Sequence, residues 1–112
     1  MGLFSRRSRA SGTGGRGASR ADLEHLEQFV RSRHGVEGFI EPRTTVTENT
    51  LILIAHDGEW TRRRVPDPRA AHDFGHRLGI PIYNVQLTGY PQRMRDYNER
   101  RKIEQRRAAE AG

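Results

Sequence analysis

Leu51-Ile52-Leu53-Ile54-Ala55-His56-Asp57-Gly58-Glu59-Trp60-Thr61-Arg62-Arg63-Arg64-Val65 is the stretch that decides the fold. Its first five residues form an unbroken apolar run. A strand with one wet face alternates apolar and polar side chains, so an unbroken run reads as a central strand buried on both faces. Asp57-Gly58 follows, a pair that tight hairpin turns favour because such turns need positive φ. Glu59–Val65 is then the returning strand. Alternation puts Trp60, Arg62 and Arg64 on one of its faces and Thr61, Arg63 and Val65 on the other.

Working outward toward the N-terminus, Phe39–Thr47 reads as another strand. Pro42 within it has no N–H to donate and marks an edge or a bulge. Glu48-Asn49 is the turn into the central strand. Upstream again, Leu23, Leu26 and Val30 recur at helical spacing with Phe29 beside them. Ser19 with Asp22 three residues later has the form of a capping box, and Gly35 suits the helix's left-handed end. In the other direction, Asp67-Pro68 has the cap-then-proline order of a helix start. Ala71, Phe74 and Leu78 form that helix's apolar stripe, and Gly79 ends it. Ile80–Leu87 reads as a fourth strand, alternating imperfectly around Pro81. Thr88-Gly89 is a turn, and Pro91 opens a long, arginine-rich last helix. The expected fold class is α+β: one small domain of order α-β-β-β-α-β-α, with a mostly antiparallel sheet and packed helices.

Residues 1–20 carry five arginines and no acid among Ser, Gly and Thr. Such a segment cannot bury an apolar face, so 1–20 is expected to be a disordered tail, 21–105 the domain and 106–112 a frayed C-terminus. A domain of that size has room for one modest core and not for a deep cofactor cleft as well. The absence of cysteine excludes disulfides, thiolate metal sites and a thiol nucleophile. No stretch approaches the roughly 20 apolar residues of a membrane span, so no membrane partner is expected. The opening residues hold no apolar run of signal-peptide length. Arg6 stands where a myristoylation motif wants Ser or Thr. The expected location is cytoplasmic.

Charge is unevenly placed along the chain. Residues 21–60 hold three arginines against eight acids, while 61–107 hold eleven arginines and Lys102 against five. Trp60 beside Arg62 and Arg64 is an aromatic next to guanidiniums, a pairing that stacks bases and holds phosphates. Arg93, Arg100 and Arg107 fall seven apart and share one helix face. These features nominate Trp60, Arg62, Arg64, Arg93 and Arg100 as a nucleic-acid-binding set. The opposing reading is structural. Asp96 with Arg100 and Arg100 with Glu104 are i,i+4 pairs, Trp60 suits a core, and arginines on an edge strand discourage mispairing. Of twenty basic side chains only Lys102 is a lysine, which points to a GC-rich coding bias that inflates arginine regardless of function.

Several short resemblances qualify this picture. His72-Asp73-Phe74-Gly75-His76 resembles the HExxH zinc motif of metallopeptidases, and through Gly79 the longer metzincin pattern. That resemblance implies zinc on His72 and His76. However, Asp73 stands one methylene short of the glutamate, and Ile82 occupies the third-ligand position. The pair also points away from the Ala71/Phe74/Leu78 stripe, into solvent. The α-β-β-β-α-β order resembles restriction-endonuclease-like nucleases. The resemblance implies acids on the second and third strands, but Thr50–His56 has none and Glu59-Trp60-Thr61 replaces the acid-x-lysine. The order α-β-β-β-α resembles a double-stranded-RNA-binding domain if the last strand and helix are ignored, without that family's lysine cluster. In composition, and in the run from Ala71 to Pro81, the chain resembles short basic proteins of high-GC actinobacteria, a resemblance that implies no activity.

No Gly-rich phosphate loop is present, so no cofactor is expected. No catalytic constellation is complete, and the sequence favours binding over catalysis. Its leading reading is a small basic binding module for nucleic acid, RNA or a ribonucleoprotein above all. An adaptor for an acidic protein partner comes second. A zinc hydrolase or degenerate nuclease comes third.

Overall fold

The computed structural model describes residues 19–111. The tail expected over 1–20 lies outside them except for Ser19 and Arg20. Helix α1 runs Arg20–Ser32, and strands β1, β2 and β3 run Glu37–Glu41, Thr50–Ile54 and Trp60–Arg64. Helix α2 (Pro68–Leu78), strand β4 (Ile82–Asn84), a short helix α3 (Val85–Thr88) and helix α4 (Gln92–Ala111) complete the fold. The expected α+β class holds, as one small domain.

The apolar run becomes the centre of the sheet. Strand order is β3-β2-β1-β4, with β2 antiparallel to both neighbours and β4 parallel to β1. Leu51 and Leu53 face one side, where Leu26 and Phe29 of α1 and Ala71 and Phe74 of α2 cover them. Ile52 and Ile54 face the other, where Phe39, Met94 of α4, Trp60, Val85 and Tyr90 pack. Three layers follow: α1 and α2, the sheet, then α4. Leu51 through Ile54 have no solvent exposure, which accounts for the absence of polar residues in the run.

Local signals behave as their chemistry requires. Ser19 and Asp22 form a reciprocal capping box, Asp67 accepts from the Ala70 N–H with Pro68 at the first turn, and Gly79 caps α2 at φ +72°. The long strands read from the sequence are shorter in the fold. β1 stops at Glu41 because Pro42 cannot donate to the ladder, and Thr44 to Thr47 close a local turn through a backbone hydrogen bond of 2.9 Å. The fourth strand stops at Asn84, whose side chain accepts from the Gln86 N–H at 2.8 Å and starts α3. α1 ends at Ser32 with Arg33 as its extended cap, two residues before Gly35. α4 is helical through Ala111, past residue 105 where the sequence reading ends the domain.

Candidate nucleic-acid interface

Backbone geometry first fixes where α4 lies. Gly58, in the β2–β3 turn at φ +95°, sits so close to α4 that a Cβ built on it would meet the Arg93 carbonyl oxygen at 2.0 Å. The helix therefore docks backbone against backbone at this turn. Arg93 locks the contact: its Nε donates to the Ala55 carbonyl at 2.9 Å and its Nη2 to Glu37 at 2.5 Å. Trp60 Nε1 donates to Asn98 Oδ1 at 2.8 Å, and Arg100 Nη2 to the Asp57 carbonyl at 2.9 Å. Beyond that point α4 has no tertiary cover, and every residue from Glu99 to Ala111 is exposed.

Trp60, Arg62 and Arg64 do share a face of β3, the α4 side of the sheet. The set nevertheless divides. Trp60 is half-buried in the second core cluster. Arg62 lies over the Trp60 ring, 5.2 Å from its centroid, and its Nε and Nη2 donate to both oxygens of Glu41 at 2.7 and 2.8 Å. Arg64 is exposed and pairs in register with Thr50, at the end of β3 away from the Gly58 turn. Arg93 and Arg100 lie on α4 at the turn end. Arg93 is held by the contacts just described, while Arg100 is exposed and also sits 5.7 Å from the Tyr97 ring centroid. Trp60 with Arg62 over it, Arg93 and Arg100 thus lie toward the Gly58 turn, and Arg64 lies at the other end of β3.

Glu41 is a hub that sequence reasoning missed. Thr50 Oγ1 donates to it at 2.6 Å, Arg62 binds it with two hydrogen bonds, and the Tyr90 hydroxyl donates to Oε2. Burial alone would raise the Glu41 carboxyl. The donors Arg62, Thr50 and Tyr90, with the guanidinium charge, outweigh burial and hold it below the ordinary carboxylate range. Burial, then the neighbouring carboxylate, pushes the Tyr90 phenol up. The three partners come from separate parts of the chain: strand register brings Thr50 and Arg62 beside Glu41, and the segment leading into α4 brings Tyr90.

The charge asymmetry of the sequence is partly folded away. Arg62–Glu41, Arg63–Asp22 at 3.4 Å, Arg77–Glu27 at 3.3 Å and Arg93–Glu37 each join an acid of the first half to an arginine of the second. On the α1 side, His25 Nε2 lies 2.6 Å from Thr61 Oγ1. Burial, then the charges of Arg63 and Arg33, depresses its pKa against the opposing pull of Asp22. Of the exposed cations, Arg43 lies between β1 and β2 and Arg69 at the start of α2, while the densest group lies on the exposed half of α4. Between Arg100 and Arg107 five basic side chains face one acid, Glu104. Its pairing with Arg101, at 3.5 Å, is more than half exposed on both partners and weak.

His72 and His76 lie on the exposed face of α2, opposite the buried Ala71 and Phe74. Ile82, the third position of the zinc pattern, packs against the core beneath Gly75. Among the described residues, no group of three or more His, Cys, Asp or Glu is placed to hold a metal ion. None of the helices there is long and apolar enough to cross a membrane. Comparison with protein-family models, curated proteins and solved structures gives no match.

Proposed function

We propose that the protein is a non-enzymatic binding module that contacts nucleic acid, bare or in a ribonucleoprotein, through the exposed half of α4. One observation carries this reading. The arginines facing the sheet are engaged by carboxylates and carbonyls of the fold, whereas Lys102, Arg106 and Arg107 are exposed and make no hydrogen bond or ion pair among the described residues. A polyphosphate gains by replacing condensed counterions with fixed cations, and exposed unengaged cations supply this without breaking an internal pair. Arg64 and Arg100, both exposed, add to the field. Trp60, with its ring over the core and its N–H on Asn98, belongs to the scaffold that aims α4.

Polarisation titrations against labelled single- and double-stranded RNA and DNA test the reading. Binding should be measurable at roughly 50 mM salt and weakened by at least tenfold near 200 mM. No binding to any of the four probes at the lower salt overturns it and leaves the acidic-protein reading in its place.

A further inference from the structure

The exposed half of α4 has a property that a simple basic patch lacks: its cations go all the way round. At roughly 100° per residue, Arg101, Lys102, Arg106 and Arg107 stand at about 100°, 200°, 240° and 340° around the axis from Arg100, which is held on the Asp57 carbonyl, with Glu104 at about 40° and Glu99 and Glu110 near 270°. No gap between neighbouring cations other than Arg100 exceeds about 120°. The only large apolar side chain there is Ile103, which is partly exposed. A helix that is polar on every side has no face to lay on a flat partner. A membrane surface needs an apolar face opposite the charged one, and α4 has none. An acidic protein surface would satisfy one side and leave the rest in water.

We propose that this half-helix enters the major groove of a B-form DNA duplex, a proposal that rests on the nucleic-acid reading above. A groove offers phosphate walls on both flanks of a helix, and cations at all azimuths match that geometry. The sizes agree. An α-helix with side chains is about 10–12 Å across, and the B-DNA major groove is about 12 Å wide. Glu99–Ala111 rises about 20 Å, enough to follow the groove for half a turn or more. The deep, narrow major groove of A-form RNA does not admit a helix, so duplex RNA is disfavoured. The anchors at Arg93, Asn98 and Arg100 hold the helix at a fixed angle to the sheet, and the domain body then stays outside the groove. Arginines directed inward meet guanine edges, the commonest acceptor for a guanidinium there.

The test uses the full chain and a DNA duplex of about two turns, roughly 20 base pairs. An RNA duplex of the same sequence and the corresponding single strands serve as the other probes. The DNA duplex should bind at least tenfold tighter than the RNA duplex. Gln105→Pro keeps every charge but breaks the helix where it touches nothing else. It should erase the preference for duplex DNA while retaining salt-sensitive binding, with far-ultraviolet circular dichroism confirming that the rest of the fold persists. Equal affinity for DNA and RNA duplexes, or a Gln105→Pro protein that keeps the preference, overturns the groove proposal and leaves nucleic-acid binding standing. Failure to bind any probe overturns both.

Discussion

The two halves of α4 carry the same kinds of side chain in opposite employment. In the first half Arg93 reaches the ends of the two central strands, Met94 is buried, and Asn98 receives the indole N–H of Trp60. In the second half, beyond the contact of Arg100 with the Asp57 carbonyl, the side chains meet only solvent and one another. One helix is thus a structural element for its first turns and an exposed cationic rod afterwards, and an arginine's position relative to the Gly58 turn decides which role it has. Substitutions on the sheet side should therefore cost stability, and those on the rod should cost binding alone.

The largest expected effect comes from closing the space that lets α4 dock. Gly58→Ala should destabilise the protein by about 3 kcal/mol, because the new methyl group meets the Arg93 carbonyl and the backbone is held at positive φ. Urea unfolding followed by circular dichroism measures it, and a loss below about 1 kcal/mol would show that the close approach is not rigid. Glu41→Ala comes next, at about 2 kcal/mol, since it strips Thr50, Arg62 and Tyr90 of their common acceptor in a half-buried site. Trp60→Phe keeps an aromatic ring but replaces the indole by a smaller phenyl and removes the hydrogen bond to Asn98, for about 1.5 kcal/mol.

Acid should reveal two of the buried-side groups in turn. His25 has a folded-state pKa below its ordinary 6.5, so the unfolded chain binds the extra proton first. Stability is then fully present above that value and declines as pH falls from it toward the folded-state pKa. His25→Gln should flatten that limb of the pH–stability curve. Glu41, also depressed, should contribute stability above its ordinary 4.5 and lose it as pH falls through its lower folded-state value. The smallest effect on stability belongs to the rod: the triple variant Lys102→Ala, Arg106→Ala, Arg107→Ala should stay within about 0.5 kcal/mol of the parent.

The parts of the fold legible in the sequence were those written in short-range chemistry. The run Leu51–Ala55, the Asp57-Gly58 turn and the caps at Ser19 and Asp67 each act within a few residues, and each appears where it was read. Strand ends were less legible because they are decided by competition. Pro42 and Asn84 each withdraw the chain from the ladder while apolar residues beyond them, Val46 and Leu87, still suggest a strand. Those two side chains are in fact 88% and 86% exposed. The candidate site was legible only as a list of arginines. Which were engaged depended on register and on the path of α4, since Glu41 meets Arg62 and Glu37 meets Arg93 across long stretches of chain. What the sequence did carry, unread, was the all-round distribution of cations from Arg100 to Arg107. The seven-residue spacing of Arg93, Arg100 and Arg107 marks one face only, whereas the spacing of Arg101, Lys102, Arg106 and Arg107 covers the others.

The contrast between engaged and exposed cations is tested most directly by the salt dependence of DNA binding. The slope of log affinity against log salt should be shallower for the Lys102/Arg106/Arg107 triple alanine variant than for the parent by about 2.7, one counterion term for each lost phosphate contact. An unchanged slope would contradict the account, because it would place the phosphate contacts elsewhere on the molecule.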